Sequence, residues 1–317
     1  MSISIGYFGS PSHSAKLLGL LLEAGISVDF VVTNPDRPVG RKKELTPTPV
    51  KQLASEHSIP IIQSERLRLD EDAKKKICSY PSSIHIVYAY GSIIPEVVFQ
   101  FPKYGSINLH GSLLPKYRGA SPVQSFLLSG ETISGFTIQH LAKEVDSGDI
   151  VVQESWVVGQ EETTKDLLDA ITAKGALPLI DMIRNLESKP LPKIPQDHSL
   201  ATHCRKIGPE DRSINWTRSA FEIHNQIRAL YPDPLAYTVF REKRVIINRS
   251  FFTADLRPIT SDLPLGSFLI GEKKRLFCVC GDGNLLGIET LQPEGKKPMS
   301  GFDFFNGARA SLGETFT

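Results

Sequence analysis

Ile3-Ser-Ile-Gly-Tyr-Phe-Gly-Ser-Pro-Ser-His-Ser-Ala-Lys-Leu-Leu-Gly-Leu-Leu-Leu-Glu-Ala-Gly25, followed at once by the apolar run Val28 to Val32, is the stretch on which the fold turns. Ile3, Ile5, Tyr7 and Phe8 are β-branched or aromatic, Gly9-Ser10-Pro11 is a turn, and the leucine-rich segment ends at Gly25: strand, tight turn, helix, stop. Working outward, strand-like runs at Ile59 to Ile62, Ile84 to Tyr90 and Ile107 to Leu109 alternate with helical patterns at Val50 to Glu56, Glu71 to Ile77 and Pro122 to Leu128. Alternation of this kind predicts an α/β fold, a doubly wound, mostly parallel, Rossmann-like sheet covered on both faces. Ligands of such sheets gather beyond the carboxyl ends of the strands, so the loops after Phe8, Tyr90 and His110 are where chemistry belongs. The first of these loops contains Gly6 and Gly9 without G-x-G-x-x-G spacing and without a following Walker-type lysine, which argues against a dinucleotide site.

The chain has 317 residues, 36 basic and 35 acidic side chains, and 40% hydrophobic residues. That composition excludes a disordered chain or a coiled coil, and the length suits about two domains. A formal charge of +1 means that any grip on nucleic acid must come from local basic patches. The four cysteines, Cys78, Cys204, Cys278 and Cys280, are too few for a disulfide framework and predict a reducing compartment. Cys278 and Cys280 have C-x-C spacing with no second pair nearby, which favours buried structural thiols over zinc. The opening residues carry no basic leader, and no apolar run approaches the ~18 residues of a membrane span, so a cytoplasmic location is expected.

Thr163 or Thr164 caps a long helical pattern running to about Leu186. Lys189-Pro-Leu-Pro-Lys-Ile-Pro195 then places three prolines in seven residues, an extended connector. The expected division is a domain over 1–189, a linker over 190–207 and a smaller domain over 208–317. In the last part, one helix at Phe221 to Leu230 precedes strand candidates at Ala236 to Phe240, Val245 to Ile247, Ser267 to Ile270, Leu276 to Cys280 and Leu285 to Leu291, which predict a small antiparallel barrel or sandwich.

Two constellations could carry chemistry. In Ser106-Ile-Asn-Leu-His-Gly-Ser-Leu-Leu-Pro-Lys-Tyr-Arg-Gly-Ala120, the two-residue period of a strand points Asn108 and His110 the same way at its end, while Gly111 permits a sharp turn. The local pattern alone leaves open whether the pair forms a site or is satisfied in the interior. In Glu144-Val-Asp-Ser-Gly-Asp149, either Asp146 or Asp149 could serve an imidazole, although a sequence of this kind, taken in isolation, is usually a solvated turn.

Asn108, His110, Ser112-Leu-Leu-Pro115, Arg118-Gly119 and Asp146-Ser-Gly148 together resemble the signature of the folate-dependent formyltransferases. Thr33-Asn-Pro-Asp-Arg-Pro-Val-Gly-Arg-Lys-Lys43 with Thr46-Pro-Thr-Pro-Val-Lys51 looks like the basic loop of the branch that formylates initiator methionyl-tRNA, and Gly281-Asp-Gly283 with Leu291-Gln-Pro-Glu-Gly-Lys-Lys-Pro-Met299 looks like its C-terminal domain. The resemblance runs from about Gly6 to about Gly307. It implies a catalytic Asn108, His110 and Asp146, with 10-formyltetrahydrofolate as co-substrate and no metal. It places folate contacts on Ser112, Leu113, Leu114, Pro115, Tyr90 and Gly91. It implies that Arg37, Arg41, Lys42, Lys43 and Lys206 engage initiator methionyl-tRNA, and that the second domain is an OB-like barrel helping to hold it. A monomer is expected.

Formyl transfer requires a donor for the oxyanion that develops at the tetrahedral carbon and a carrier for the amine proton. Asn108 suits the first role, His110 can donate to the oxyanion when protonated or pass a proton when neutral, and Asp146 can stabilise the imidazolium, fix the ring and hold a water that relays the amine proton. The same three groups would serve a formyltransferase acting on a nucleotide or sugar amine, which has no evident need for both a basic arm and a barrel. A non-catalytic RNA-binding protein built on this scaffold is the reading from outside enzymology. Residues 208–317 carry 14 basic and 13 acidic side chains, so only a charge-segregated face could bind RNA.

Overall fold

A computed structural model of the chain describes residues 3–39, 44–253 and 263–317. The opening segment folds as its pattern predicts: strand β1 (Ser4–Gly9), helix α1 (Ser12–Glu23), strand β2 (Ser27–Thr33). Gly25 lies at φ 78°, and the N–H groups of Gly25 and Ile26 donate to the carbonyls of Leu22 and Leu21, closing α1 as a Schellman turn. The chain continues through β3 (Arg37–Val39), β4 (Glu44–Thr46), α2 (Pro49–Glu56), β5 (Ile61–Gln63), α3 (Glu71–Ile77), β6 (Ile84–Tyr88), α4 (Glu96–Phe99), β7 (Ser106–His110), β8 (Arg118–Gly119), α5 (Pro122–Ser129), β9 (Ile133–His140), β10 (Ile150–Val157), α6 (Thr164–Arg184) and β11 (His203–Cys204). Thr48 and Asp70 cap α2 and α3 by accepting the N–H groups of Lys51 and Ala73.

Packing divides the residues into two units. The first holds Met1–Pro122, Ser134–Trp156 and Leu168–Arg205; the second holds Val123–Ile133, Val157–Leu167 and Lys206–Thr317. In the first, a seven-stranded sheet runs in the order β10-β9-β7-β6-β1-β2-β5. The pairs β1–β2, β1–β6, β2–β5 and β6–β7 are parallel, and β7–β9 is antiparallel. Central β1 and β6 are buried on both faces, which is why their sequences read as continuous apolar runs. Strand order reverses between β1 and β6, so the loops after β1, β6 and β7 meet at the switch point.

The proline-bearing stretch is extended, as its composition requires, and it is also tied to this unit. Ile194 and Ile150 exchange backbone hydrogen bonds at 3.0 and 2.8 Å, Pro192 O accepts His140 Nε2, and β11 pairs in parallel with β8. Residues read as a connector thus bridge the edge strand β10 at Ile194 and form a separate two-stranded ladder with β8 at His203–Cys204.

The second unit contains α7 (Ala220–Leu230), β12 (Ala236–Phe240), β13 (Lys243–Phe252), β14 (Phe268–Gly271), β15 (Arg275–Val279), β16 (Leu285–Pro293), β17 (Met299–Ser300) and α8 (Gly301–Gly307). Its antiparallel sheet runs β12-β13-β16-β15-β14, with β17 on β16. Residues 313–317 lie against both ends of that order. Phe268 N donates to Glu314 O and Phe316 N to Gly266 O, while Val239 and Thr317 exchange two bonds at 2.9 Å. This bridging brings the sheet round into a small barrel, as the pattern of short strands predicted. Phe240, Phe268, Phe304 and Phe316 fill it, and Trp216 stacks on Phe316 while donating Nε1–H to Thr238.

Candidate active site

β7 delivers Asn108 half-buried and His110 buried, and their Cα partners across the antiparallel ladder are Gln139 and Thr137 of β9. The third member comes from the turn after β9, where Asp146 sits at φ 52°, a left-handed conformation that aspartate tolerates better than most residues. Asp146 Oδ1 lies 3.6 Å from His110 Nδ1 and 3.5 Å from Asn108 Nδ2. The three groups predicted from sequence therefore converge on one carboxylate oxygen, at distances that a bound reactant can tighten. Asp149, the other candidate of that turn, instead offers its backbone carbonyl to His140 N.

His110 is oriented from its far side, where Nε2 lies 3.0 Å from the carbonyl of Tyr117. A carbonyl only accepts, so Nε2 carries a hydrogen and Nδ1 is the nitrogen turned toward Asp146. The carboxylate is held as firmly: Gly119 N–H donates to Oδ2 at 2.8 Å and Gln139 Nε2 to Oδ1 at 2.9 Å. At Gly119, φ is 121° and a Cβ would come within 2.2 Å of the Cys204 carbonyl, so glycine is required there for the close approach of β11.

The turn after His110 is fixed by its own chain. Thr137 Oγ1 donates to Ser112 O and accepts Leu114 N–H, Ser112 Oγ donates to Lys116 O, and Gln153 Nε2 donates to Leu114 O. Leu113 O accepts from Lys116 N and Pro115 O from Thr202 N, so all four carbonyls of Ser112–Pro115 already have partners. What this stretch presents is a rigid wall carrying the half-buried Leu113 and Pro115 side chains.

Tyr90 differs from expectation in its direction. Its ring packs in the core against Phe8, with centroids 5.8 Å apart, and burial pushes its hydroxyl up to about 12. The loop offers backbone instead: Tyr90 O accepts Asn34 Nδ2, and Gly91 lies at φ 79°.

The root of the predicted basic arm is ordered. Lys51 Nζ donates to both carboxylate oxygens of Asp36 and to Gln63 Oε1, and Gln63 Nε2 donates to Asn34 O and Asp36 Oδ1. These donors hold the half-buried Asp36 carboxyl below its ordinary range. Arg37 pairs with Glu65, and Lys206 is exposed. Arg41, Lys42 and Lys43 lie outside the described residues. Among the described residues, no group of three or more His, Cys, Asp or Glu is placed to hold a metal, and no helix is long and apolar enough to cross a membrane.

Two polar residues around Asp146 escaped the sequence reading, Gln139 and Gln196; Arg118, noted there only as part of the resembling signature, is buried. Gln139 is signalled by the strand period that aligns it with Thr137, once the pairing with β7 is known. Gln196 has no comparable signal, because it stands in a stretch whose prolines advertise a connector.

A family model described as "Formyl transferase" matches residues 2–183, and one described as "Formyl transferase, C-terminal domain" matches residues 206–309. A methionyl-tRNA formyltransferase of Leptospira interrogans is 44% identical over 99% of this chain and the whole of the relative. One from Halalkalibacterium halodurans is 37% identical over 98% of this chain and 96% of its own length. Among solved structures, the N-formyltransferase from Helicobacter canadensis in complex with folinic acid and dTDP-3-aminofucose superposes with a TM-score of 0.66 at 20% identity, covering 92% of this chain and 99% of its own. WlaRD, a sugar 3N-formyl transferase in the presence of dTDP and 5-N-formyl-THF, gives 0.65 at 19% identity, covering 94% and 100%. At these identities the two structures speak to the fold.

Proposed function

This chain belongs to the methionyl-tRNA formyltransferase family and is a formyltransferase enzyme, and from that premise we propose that it moves the formyl group of 10-formyltetrahydrofolate to the free amino group of initiator methionyl-tRNA, for translation initiation. The observation that carries the reading is the convergence of Asn108, His110 and Asp146 on one oxygen, beyond the end of β7 and beside a fixed turn.

The amine nitrogen bonds to the formyl carbon, the bond from that carbon to the folate nitrogen breaks, and the proton lost by the amine is balanced by the one that nitrogen gains. No covalent enzyme intermediate is needed. Asn108 Nδ2 is half-buried, and its contact with Asp146 is long, so it retains donor capacity for the oxygen that becomes negative. Loss of such a donor costs about 10²–10³ in rate. His110, with Nε2 committed to Tyr117, works through Nδ1: as imidazolium it donates, and as imidazole it passes a proton. Asp146 stabilises the charged ring and can position a water that takes the amine proton.

The folate would lie along the Ser112, Leu113, Leu114 and Pro115 wall and the Tyr90–Gly91 loop. The fit is chemical: apolar side chains for a flat heterocycle, backbone groups for its polar edge. For the tRNA we propose Arg37, Arg41, Lys42, Lys43 and Lys206, with catalysis in the sheet unit, which takes in residues as far as Arg205, and tRNA binding in the barrel of residues 206–317. The rigid root formed by Asp36, Lys51 and Gln63 supports an arm held at its base. A monomeric, cytoplasmic enzyme completes the proposal.

Single-turnover transfer of labelled formyl to methionyl-tRNA, to a small amine and to water tests it. Asp146→Asn should bind folate normally and transfer orders of magnitude more slowly; near-normal transfer, or transfer to the small amine alone, overturns the reading.

A further inference from the structure

Arg118 is buried, and a guanidinium has donors only. Its Nη2 and Nε lie 2.6 and 3.2 Å from one atom of the Gln196 amide, which must therefore be Oε1, and Nη2 also meets His198 Nδ1. That orients the rest. Gln196 Nε2 is turned toward the carbonyls of Gly148 and Asp146, at 2.7 and 3.0 Å, and toward Gln139 Oε1 at 3.1 Å. Two of these three are backbone oxygens that can only accept, so the polarity agrees from both sides. With Gln139 Oε1 used, Gln139 Nε2 must face Asp146 Oδ1. Gly119 N–H closes the other oxygen.

The geometry points to a one-way relay, Arg118 to Gln196 to Gln139, in which the two glutamines are positioning residues: they hold Asp146 as a carboxylate with both oxygens accepting, at the angle that faces His110. A hydrogen on either oxygen would oppose an N–H, so the relay selects the form that stabilises the imidazolium. It also explains why the 190–197 stretch is hydrogen-bonded to the sheet unit: only a fixed chain can deliver Gln196 into a site with three acceptors on one side and a cation on the other. The inference rests on Asp146 acting as proposed above.

Substituting Gln196 separates the relay from simple packing or charge pairing. Gln196→Glu keeps the shape and improves the partner for Arg118, but sets an acceptor against three acceptors. Gln196→Leu removes both contacts. If Gln196 merely neutralises buried Arg118, Glu outperforms Leu; if it relays polarity, Glu is no better. We expect both variants, and Gln139→Leu, to lower kcat for methionyl-tRNA by at least tenfold, with KM for the formyl donor changed less than about twofold. Thermal unfolding and directly measured folate affinity establish that each variant is folded. In an Asp146→Asn background, Gln139→Leu should lower kcat no further, since the group it positions is gone. Gln196→Glu exceeding Gln196→Leu, any of the three single variants within twofold of the parent, or a further fall in the double variant overturns the relay. Near-normal Asp146→Asn instead sinks the catalytic reading beneath it, so the two failures are distinct.

Discussion

Thr137→Val tests the idea that the turn beyond the site histidine is held by one hydroxyl. Thr137 is fully buried on β9, opposite His110, and its Oγ1 makes three bonds: to Ser112 O at 2.7 Å, from Leu114 N at 3.0 Å and from Gln153 Nε2 at 2.8 Å. Valine has the same shape and none of them. Leu114 is buried, so its N–H would be left without an acceptor, a cost of about 1–3 kcal/mol, and the bond given to Ser112 is worth about 1 more. Gln153 keeps its bond to Leu114 O and adds little. The expected loss is about 2–4 kcal/mol, or roughly 4–16 °C in Tm for a unit of this size. Urea unfolding gives the total, amide hydrogen exchange at Leu114 reports the particular bond, and KM for the formyl donor should rise as the wall loosens. Thr137→Ser, which keeps the hydroxyl and loses a methyl, is the comparison. A valine variant as stable as the serine variant would refute the reasoning.

His85 lies buried between Phe8 and Phe30, its ring nitrogens without hydrogen-bond partners among the described residues, and burial pushes it down to about 3. The unfolded chain takes up a proton near ~6.5 while the folded one does not, so this contribution is complete above ~6.5 and lost as pH falls toward 3. Between pH 7 and 5 the parent should lose about 2 kcal/mol more stability than His85→Leu in urea titrations; parallel losses would count against it. Gly119→Ala meets the Cys204 carbonyl and a left-handed φ together, and should cost more than about 2 kcal/mol and displace Asp146, read as a fall in kcat; normal turnover would deny the close approach. Phe316→Ala, emptying the centre of the barrel, should cost about 3–5 kcal/mol in the unfolding of the second unit, and a loss under 1 would mean that the terminal residues do not close it.

Much of the sheet unit is legible because its central strands are buried on both faces, so that Ile5 to Phe8 and Ile84 to Tyr88 stand out as apolar runs between helical periods. The resemblance marked Asn108 and His110 as a site, but their shared face at the strand's end follows from strand periodicity alone. Asp146 does not: it lies 38 residues beyond Asn108, and only the antiparallel return of β9 beside β7 brings them together, so family resemblance had to supply what local pattern could not. Tyr90 was read by its neighbours in a loop, whereas its ring obeys the core. Gln196 was invisible for a physical reason: prolines determine backbone shape, and an extended shape is the same whether the chain spans solvent or lies along a sheet.

The bridging of β12 and β14 by residues 313–317 bears on how the protein comes off the ribosome. A hydrogen bond such as that from Thr238 to Thr317 spans 79 positions, a long loop to close, and its second partner is synthesised after every strand that it bridges. Until those residues emerge, two strand edges stand open on a nascent chain that already exposes aromatic core. Premature termination in this gene region would therefore yield a sticky half-barrel that pairs with its own kind, so that the hazard for the cell is aggregation as much as lost activity.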